Sequence, residues 1–580
     1  TDAQYICKVV RSDGTLVGKY ETLKSAISDG VGTDGQEYYI KMLVPTYTMP
    51  TSDLNDYNVP DKKRFTITTA STNESDGISY TGTEGTNAII YTNGSRLTYI
   101  SGNKTVRITL ENITFDGGSL NGYTTPNYGG FFKFIPSSNT CSLTLKSGAI
   151  LQNCSLNRSA HHGGAIDIDK GTLTMEEGSL IDNCKGSDID DAGAIHTHGG
   201  VTFNFNGGTI RNCSTGQSGG AICIEGSNCV MNMSGGTIEN CSAGTNNGTH
   251  GGGGAIYVFS GATFNMTGGT IKNCDGGSKF NGGALAMNAE GTVKITGGTI
   301  EGCTAGKAGG AFYMTKGTFS LSSGTVKNCT ATNGNGGALY LGGGTFTMSG
   351  GTVEGCTATS GNGGAFYLSG SGAVLNLNGT AEVKDCSSTS GAIYVEKTGA
   401  RRGQNAIINF SGSPKIIDNS NHNIDLSSFT GSFDESIINV TDVLHNAEIG
   451  LYITDPNRDT HEEIFGTTVA AAANYQLMSF VNDIHKDGNG DALRGWPVSF
   501  NNAGNVKWSS AIKVRALTFS GGDWQNAVLY PDSDGYFGTS DFWKMSIKDN
   551  FISKYAEANS AIATLNAWGS GYTYTFAMIG

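Results

Sequence analysis

Two groups of residues carry side chains that could do chemistry, and both fall at matching positions of a repeated segment. In the first group, Asp167 and Asp169 are followed one repeat later by His196 and His198, and one repeat further by Glu225. Carboxylates beside imidazoles can bind a divalent cation or act as general acid and base, as a polysaccharide hydrolase or lyase requires. Solvated polar side chains are the favoured interpretation, because no Lys or Arg is positioned among these acids. We therefore assign no catalytic residue, metal site or cofactor, and a divalent cation stays an open alternative.

Tyrosines form the second group. In several repeats they directly follow the apolar residue at which the first strand begins, and alternation along a strand would direct them outward. A tyrosine offers a flat apolar face and a hydroxyl, which suits a sugar ring, a peptide or another copy of the chain. The alternative is that tyrosine simply has a high strand propensity and pairs well across strands. The residues are Tyr257, Tyr313, Tyr340, Tyr367 and Tyr394.

The repeat that carries both groups predicts an all-β solenoid. A Gly-Gly-Ala-apolar block recurs mostly every 27–29 residues, as at 253–256, 282–285 and 309–312. Each repeat divides into three short pieces in which apolar and polar residues alternate, with glycines at the corners. Three strands and three turns per repeat describe one coil of a parallel β-helix, whose coils stack about 4.8 Å apart.

One cysteine ends the third strand of each coil. Buried thiols that act as small apolar fillers are the favoured interpretation, ahead of disulfides between coils and of metal binding, which no His or Cys-x-x-Cys spacing supports. An Asn often precedes the thiol, where it tolerates a left-handed turn. Cys223 and Cys229 flank a short turn and are the most plausible disulfide. The predicted ladder is Cys154, Cys184, Cys213, Cys241, Cys274, Cys303, Cys329, Cys356 and Cys386.

Composition excludes several classes of protein. The chain has 580 residues with 87 glycines, a net charge of −13 and only 15% charged residues. Nucleic-acid binding needs clustered Lys and Arg, so a nucleic-acid partner is not expected. Helical structure is disfavoured because each glycine inside a helix costs about 1 kcal/mol. The sequence has no run of 18 apolar residues, so no transmembrane segment is expected either.

The Gly-Gly-Ala-Ile blocks, together with the Phe-x-Met/Leu and Ile-x-Asn-Cys blocks, resemble the repeats of bacterial surface β-helix proteins. They are similar in style to polymorphic outer-membrane autotransporter repeats, although the Phe-x-x-Asn element of those repeats is largely absent here. The resemblance covers about residues 105–430. It implies a right-handed, single-stranded parallel β-helix on a secreted or surface-displayed protein, and it implies no particular ligand.

We accordingly expect three regions: an N-terminal cap with strands leading into the coils (1–104), the β-helix repeats (105–430) and a C-terminal capping, anchoring or assembly region (431–580). The expected protein is a mature, exported chain after signal removal, located outside the cell or on its surface. The favoured function is a non-enzymatic structural or adhesive protein that contacts copies of itself or a surface glycan or protein. A polysaccharide lyase or hydrolase and a self-assembling filament subunit are the alternatives.

Overall fold

The computed structural model describes residues 5–452 except 51–56, 94–95, 120–129, 157–162, 188–190, 245–251, 400–402, 430–436 and 445–446. Beyond residue 452 it describes only short strands. The fold is a β-solenoid of about 12 turns built from parallel strands, with almost no helix, so the predicted fold class is confirmed. The chain divides into two compact units, Thr1–Gly334 with Ala338–Tyr340, and Asn335–Gly337 with Leu341–Gly580.

Three stacks of parallel strands build the first unit, and each strand pairs in register with its counterpart one coil later. The first-strand stack contains Thr98–Gly102, Phe132–Pro136, Ile166–Ile168, Ile195–Thr197, Ile222–Glu225, Ile256–Phe259, Leu285–Met287 and Phe312–Met314. The second-strand stack contains Tyr38–Met42, Arg64–Thr69, Arg107–Glu111, Ser142–Leu145, Gly171–Met175, Val201–Phe205, Val230–Met233, Thr263–Met266, Thr292–Ile295 and Thr318–Leu321. The third-strand stack contains Thr46–Thr48, Ala88–Tyr91, Ile113–Asp116, Ala149–Gln152, Leu180–Asp182, Thr209–Arg211, Thr237–Glu239, Thr270–Lys272, Thr299–Glu301 and Thr325–Lys327.

The second unit repeats this pattern. Its first strands are Phe366–Leu368, Gly391–Val395 and His422–Asp425. Its second strands are Gly344–Met348, Ala373–Leu377, Ile407–Gly412, Ile438–Leu444 and Phe465–Thr467. Its third strands are Thr352–Glu354, Glu382–Lys384, Lys415–Ile416 and Glu448–Tyr452. Phe480–Asn482 pairs in parallel with Glu448–Tyr452. The remaining short strands of the C-terminal region pair antiparallel where pairings are described: His485–Lys486, Ala492–Leu493, Val498–Phe500, Val506–Trp508, Ile512–Arg515, Thr518–Phe519, Asn526–Leu529, Tyr536–Phe537, Met545–Ser546 and Tyr572–Thr573.

The corner before each first strand explains the paired glycines of the repeat. Gly253 adopts a φ of +71°, which a residue with a Cβ adopts only with strain. Gly254 lies so close to the next coil that an added Cβ would stand 2.3 Å from the carbonyl oxygen of Gly283. The first glycine of the block therefore permits the turn, and the second permits close stacking of the coils. The following Ala255 is fully buried.

The corner after each third strand carries the Asn and Cys of the repeat. Asn153, Asn183, Asn212, Asn240 and Asn273 all have a φ between 52° and 55°, as their predicted turn position requires. The cysteines that follow are buried and free, as the filler interpretation predicts. Many of them donate a weak hydrogen bond to the carbonyl two residues earlier; for example, Sγ of Cys213 lies 3.2 Å from the oxygen of Arg211. Two-residue strands Thr304–Ala305 and Thr330–Ala331 extend this corner.

The N-terminal part begins with an antiparallel pair, Cys7–Arg11 with Leu16–Tyr20, followed by a short α-helix, Leu23–Ser25, and a π-helical turn, Ala26–Gly30. Parallel pairing starts at Tyr38–Met42, which pairs with Arg64–Thr69. The coils thus begin inside the region predicted as a cap. Their loops differ in length and they lack the Gly-Gly-Ala block, so the period is not visible in the sequence.

Candidate functional site

The chemically capable residues predicted from sequence lie on the outward side of the first-strand stack, which we call the first-strand face. In the first unit its in-register positions are Lys133, Asp167, His196, Cys223, Tyr257, Ala286 and Tyr313. The expectation that the polar members are solvated was wrong for two of them, because Asp167 is only 1% exposed and His196 only 3%. The face is therefore partly an interior surface.

The segment that precedes each first strand provides part of the cover. Ala192 packs with Cys223, Tyr257 and Ala286 in one buried cluster. Farther along, an added Cβ on Gly252 would stand 3.1 Å from the Cβ of Ala286, so that backbone lies directly on the face. Outward side chains in these coils consequently meet protein rather than water.

Charged groups of opposite sign alternate along the buried part of the first-strand face. Nζ of Lys133 lies 2.5 Å from Oδ2 of Asp167, and Nδ1 of His196 lies 3.3 Å from Oδ1 of the same carboxylate. Nε2 of His196 is 3.6 Å from Oε2 of Glu225. The sequence interpretation placed no Lys or Arg among these acids. Lys133 corrects it, because the strand that contains this lysine pairs directly with the strand of Asp167.

The pKa of His196 reflects this setting. Burial alone would lower the pKa of the imidazole, but its contacts with Asp167, Cys223 and Glu225 together raise it well above the ordinary value of 6.5. The imidazole is therefore a cation at neutral pH. Its charge is matched by the carboxylates on the neighbouring coils, so His196 is suited to hold charge in place rather than to exchange protons with solvent.

Asp169 and His198 are the more accessible members of the predicted polar patch. Asp169 is half-buried and His198 is exposed. Burial, and next the charge of Asp167, raise the pKa of Asp169. The rings of His196 and His198 lie parallel, with centroids 6.3 Å apart. Only these two groups and the half-buried Glu225 could meet a large solvent-borne substrate.

Cys223 lies next to His196 on the face, an adjacency that the sequence interpretation did not use. Asp167, His196 and Cys223 follow one another on three successive coils, an order of side chains that nucleophilic enzymes also employ. However, burial raises the pKa of the Cys223 thiol to about 11, and the residue is 1% exposed. A protonated, covered thiol is a poor nucleophile.

The disulfide predicted between Cys223 and Cys229 is not formed, since both residues are free thiols. Cys223 points to the first-strand face beside His196. The sulfur of Cys229 instead accepts a hydrogen bond from the backbone N–H of Val201, 3.4 Å away. The turn between them directs the two side chains to different surroundings, which spacing alone did not reveal.

The tyrosines predicted as an exposed strip divide into buried and half-buried members. Tyr257 is 3% exposed and Tyr367 is 5% exposed, so the expectation of outward exposure was wrong for both. Tyr313, Tyr340 and Tyr394 are half-buried. Burial raises the pKa of Tyr257, Tyr313 and Tyr394, so their hydroxyls stay protonated.

The tyrosine rings stack on neighbours one coil away. Within the first unit, Tyr313 and Tyr340 have centroids 5.1 Å apart and planes 18° apart. Within the second unit, Tyr367 and Tyr394 are 5.6 Å apart with planes 8° apart. The faces that two rings share are closed to a sugar ring. A partner would meet ring edges and hydroxyl groups instead.

A second row of charges, on the outward side of the third strands, was missed by the sequence interpretation. Ion pairs join neighbouring coils there: Arg211 with Asp182 at 2.8 Å, Lys272 with Glu239 at 3.1 Å and Lys327 with Glu301 at 3.2 Å. The signal was present in the repeat, because the residue two before the cysteine alternates in sign. These residues are Asp182, Arg211, Glu239, Lys272, Glu301 and Lys327.

Across the residues that the structure describes, no three or more His, Cys, Asp or Glu side chains are placed to hold a metal ion together. No helix described in the structure is long and apolar enough to cross a membrane.

Comparison of the chain with known protein families, with curated proteins and with solved structures found no match.

Proposed function

We propose that this protein is a non-enzymatic structural or adhesive protein, exported to a bacterial surface or to the extracellular space. One observation carries the proposal. The acid and base groups that a polysaccharide-acting enzyme would use are engaged with each other: Asp167 contacts both Lys133 and His196 and is 1% exposed. Side chains that form ion pairs between neighbouring coils stabilise the stack of coils, whereas a catalytic acid and base must be able to contact a substrate.

Contacts with a partner would then come from the half-buried tyrosines. Tyr313 and Tyr340 are half-buried with stacked rings, and a tyrosine hydroxyl suits hydrogen bonding to a glycan, a protein or another copy of the chain. The location outside the cell is supported by the resemblance of the repeats to those of surface β-helix proteins. Labelling of intact cells that make the protein tests that location.

An activity screen separates this proposal from the enzymatic alternative. The full chain is incubated with a panel of acidic and neutral polysaccharides, and both reducing ends and unsaturated products are measured. We expect neither product. The variants Asp169→Ala and His198→Ala change the accessible members of the patch, so an activity that either variant abolishes would overturn the proposal.

A binding experiment tests the tyrosines. The double variant Tyr313→Ser/Tyr340→Ser is compared with the wild type for binding to immobilised glycans and proteins and for self-association in sedimentation. We expect binding to fall at least about tenfold while the circular dichroism spectrum is unchanged, since each lost contact contributes about 1 kcal/mol. Lys294→Ser, an exposed change on the second-strand stack, is the matched control. Equal binding by all three proteins would remove these tyrosines from the interface.

A further inference from the structure

We propose that Lys133 and Asp167 become joined by an intramolecular amide bond, an isopeptide cross-link between two neighbouring coils. The amine of Lys133 lies 2.5 Å from a carboxylate oxygen of Asp167, and neither side chain is well solvated: the lysine side chain is 11% exposed and the aspartate side chain 1%. The two residues are direct partners in parallel strands.

Proximity supplies much of what amide formation needs. Fixed, contacting reactants in a folded protein reach effective concentrations of about 10⁵ M or more, which no free amine and acid can match. Strand pairing holds the backbones of Lys133 and Asp167 in register, so the approach does not depend on a mobile loop. Once formed, an amide in a buried position is protected from hydrolysis because water is largely excluded.

The ammonium must pass a proton to the carboxylate before the two groups react. A charged pair in a poorly solvated site pays a large desolvation cost, and transfer of a proton from the ammonium to the carboxylate removes both charges. The contact between Nζ of Lys133 and Oδ2 of Asp167 provides the path for that proton. That transfer gives a neutral amine beside a carboxylic acid, which are the reactive partners.

The reaction needs no oxidant, reductant or activated co-reactant. Nζ of Lys133 attacks Cγ of Asp167, the C–N bond forms, and Oδ1 takes up the negative charge of the tetrahedral intermediate. The Cγ–Oδ2 bond then breaks and Oδ2 leaves as water, whose two protons are the two that the lysine ammonium loses. The amide keeps one N–H, so the chain loses one water molecule in total.

His196 and Asp169 both lie close to the reacting groups of Lys133 and Asp167. Nδ1 of His196 is 3.3 Å from Oδ1 of Asp167, the oxygen that carries charge in the intermediate and remains as the amide carbonyl. A cationic imidazole there stabilises the developing oxyanion. Asp169 interacts electrostatically with both Lys133 and Asp167 and can carry the second proton from nitrogen to the leaving oxygen. His196 and Asp169 are thus positioning and proton-relay residues for the bond.

A second lysine–aspartate pair in the chain serves as an internal control. Lys8 is fully buried and its Nζ lies 2.7 Å and 2.8 Å from the two oxygens of Asp76. The Asp76 side chain is 32% exposed, so water reaches the carboxylate and stabilises its charge. Lys8 also contacts Glu74 at 3.2 Å. This pair should stay a salt bridge.

Mass spectrometry of the purified full chain tests the proposal. We expect the denatured protein to be lighter by one water molecule than its sequence mass. After trypsin digestion, cleavage after Lys133 should be blocked, and the segment 108–146 should appear joined to the segment 159–170. A full sequence mass with the two segments separate would overturn the proposal, as would a one-water loss that maps elsewhere.

Three variants keep the test independent of folding. Lys133→Arg keeps a cation beside Asp167 but offers no nucleophilic amine, so its full mass should return. Asp167→Asn should release ammonia instead of water and give the same linked segments and the same final mass as the linked wild type. Lys8→Arg should leave the one-water deficit unchanged. A deficit that survives in Lys133→Arg would count against the cross-link.

Discussion

The buried ammonium groups of Lys63 and Lys8 both have oxygen partners, but the kind of oxygen differs between the two sites. Lys63 is 2% exposed, and its ammonium donates to three carbonyl oxygens, those of Ile27 at 2.6 Å, Ser28 at 2.9 Å and Val31 at 2.6 Å. Three N–H donors meet three carbonyl acceptors, so the ammonium is fully hydrogen-bonded, and these bonds connect the chain around the π-helical turn Ala26–Gly30 to the first coils. Lys8, in contrast, is matched by carboxylates.

Glu74 joins two lysines and gives the N-terminal part a dependence on pH. Burial raises the pKa of Glu74, but bonds from Lys41, the Ser71 N–H and Lys8 outweigh it, so the folded pKa lies below the ordinary 4.5. A depressed folded pKa stabilises the protein above the unfolded value, and that contribution disappears as pH falls through the folded value. We therefore expect Glu74→Gln to lower the unfolding free energy at neutral pH and to flatten its decline below about pH 4.5.

Urea unfolding of the two proteins between neutral and acid pH measures this. Glu84→Gln is the control, since Glu84 is exposed. If the wild type and Glu74→Gln lose stability in parallel on acidification, the carboxylate is not the source.

The left-handed corner after the third strand makes a prediction at a single residue. Asn273 has a φ of 53°, and the equivalent residue one coil later is Gly302 with a φ of 61°. Asn273→Ala should lower the unfolding free energy by about 1 kcal/mol, because a Cβ strains this conformation and alanine offers no local hydrogen bond. Asn273→Gly should change it by much less, since the chain already uses glycine at that corner. Equal losses in both variants would contradict this reading of the corner.

At the scale of elements, the outward side chains of the second and third strands connect neighbouring coils by different kinds of contact. On the second strands, side-chain amides bond in sequence: Nδ2 of Asn232 donates to Oδ1 of Asn204 at 3.1 Å, and Nδ2 of Asn265 donates to Oδ1 of Asn232 at 3.0 Å. On the third strands, ion pairs take this role. The row of ion pairs favours one register, because a one-coil slip would place like charges together.

Lys272→Glu tests the row of charges on the third strands. The variant places three carboxylates on successive coils, at 239, 272 and 301, and should lower the unfolding free energy by about 0.5–1 kcal/mol at low salt. High salt should shrink the loss, because these side chains are partly exposed and their repulsion is screened. Lys294→Glu makes the same charge change on the second-strand stack, outside the row, and should have a smaller effect. A loss that is the same at all salt concentrations would exclude electrostatics as its cause.

At the scale of the whole molecule, stability should be nearly a sum of coils and contacts between neighbouring coils. Deletion of residues 282–308 removes one complete coil and joins Asn281 to the next Gly-Gly-Ala block at Gly309. We expect a soluble protein with an unchanged strand signature in circular dichroism, weakened slightly because Lys272 then faces Lys327. Deletion of residues 282–294 removes only part of a coil and should prevent folding, since every later side chain loses its register. Equal tolerance of both deletions would contradict the solenoid reading.

Much of the coil could be predicted from sequence because its causes are local and recur. The apolar residue after each Gly-Gly-Ala block, such as Ile222 or Ile256, is buried as alternation requires. The corner at Asn183 follows from the left-handed conformation that few residues accept. The first coils were not predicted because their loops vary in length. The row of alternating charges that contains Arg211 was visible in the sequence but was not used.

The sequence by itself determined the period, the inward rows and the corners of this protein, because these depend on residue type and on neighbours at a fixed spacing. Only the tertiary structure decided which outward side chains are covered, since that depends on how the segment before a first strand packs, as Ala192 does against Cys223 and Tyr257. It also brought Lys133 onto Asp167 from a coil that lacks the repeat block. Which outward side chains are buried, and which groups they contact, depends on how the coils stack. For this reason Asp167 and His196, expected to be solvated, are buried among groups of opposite charge.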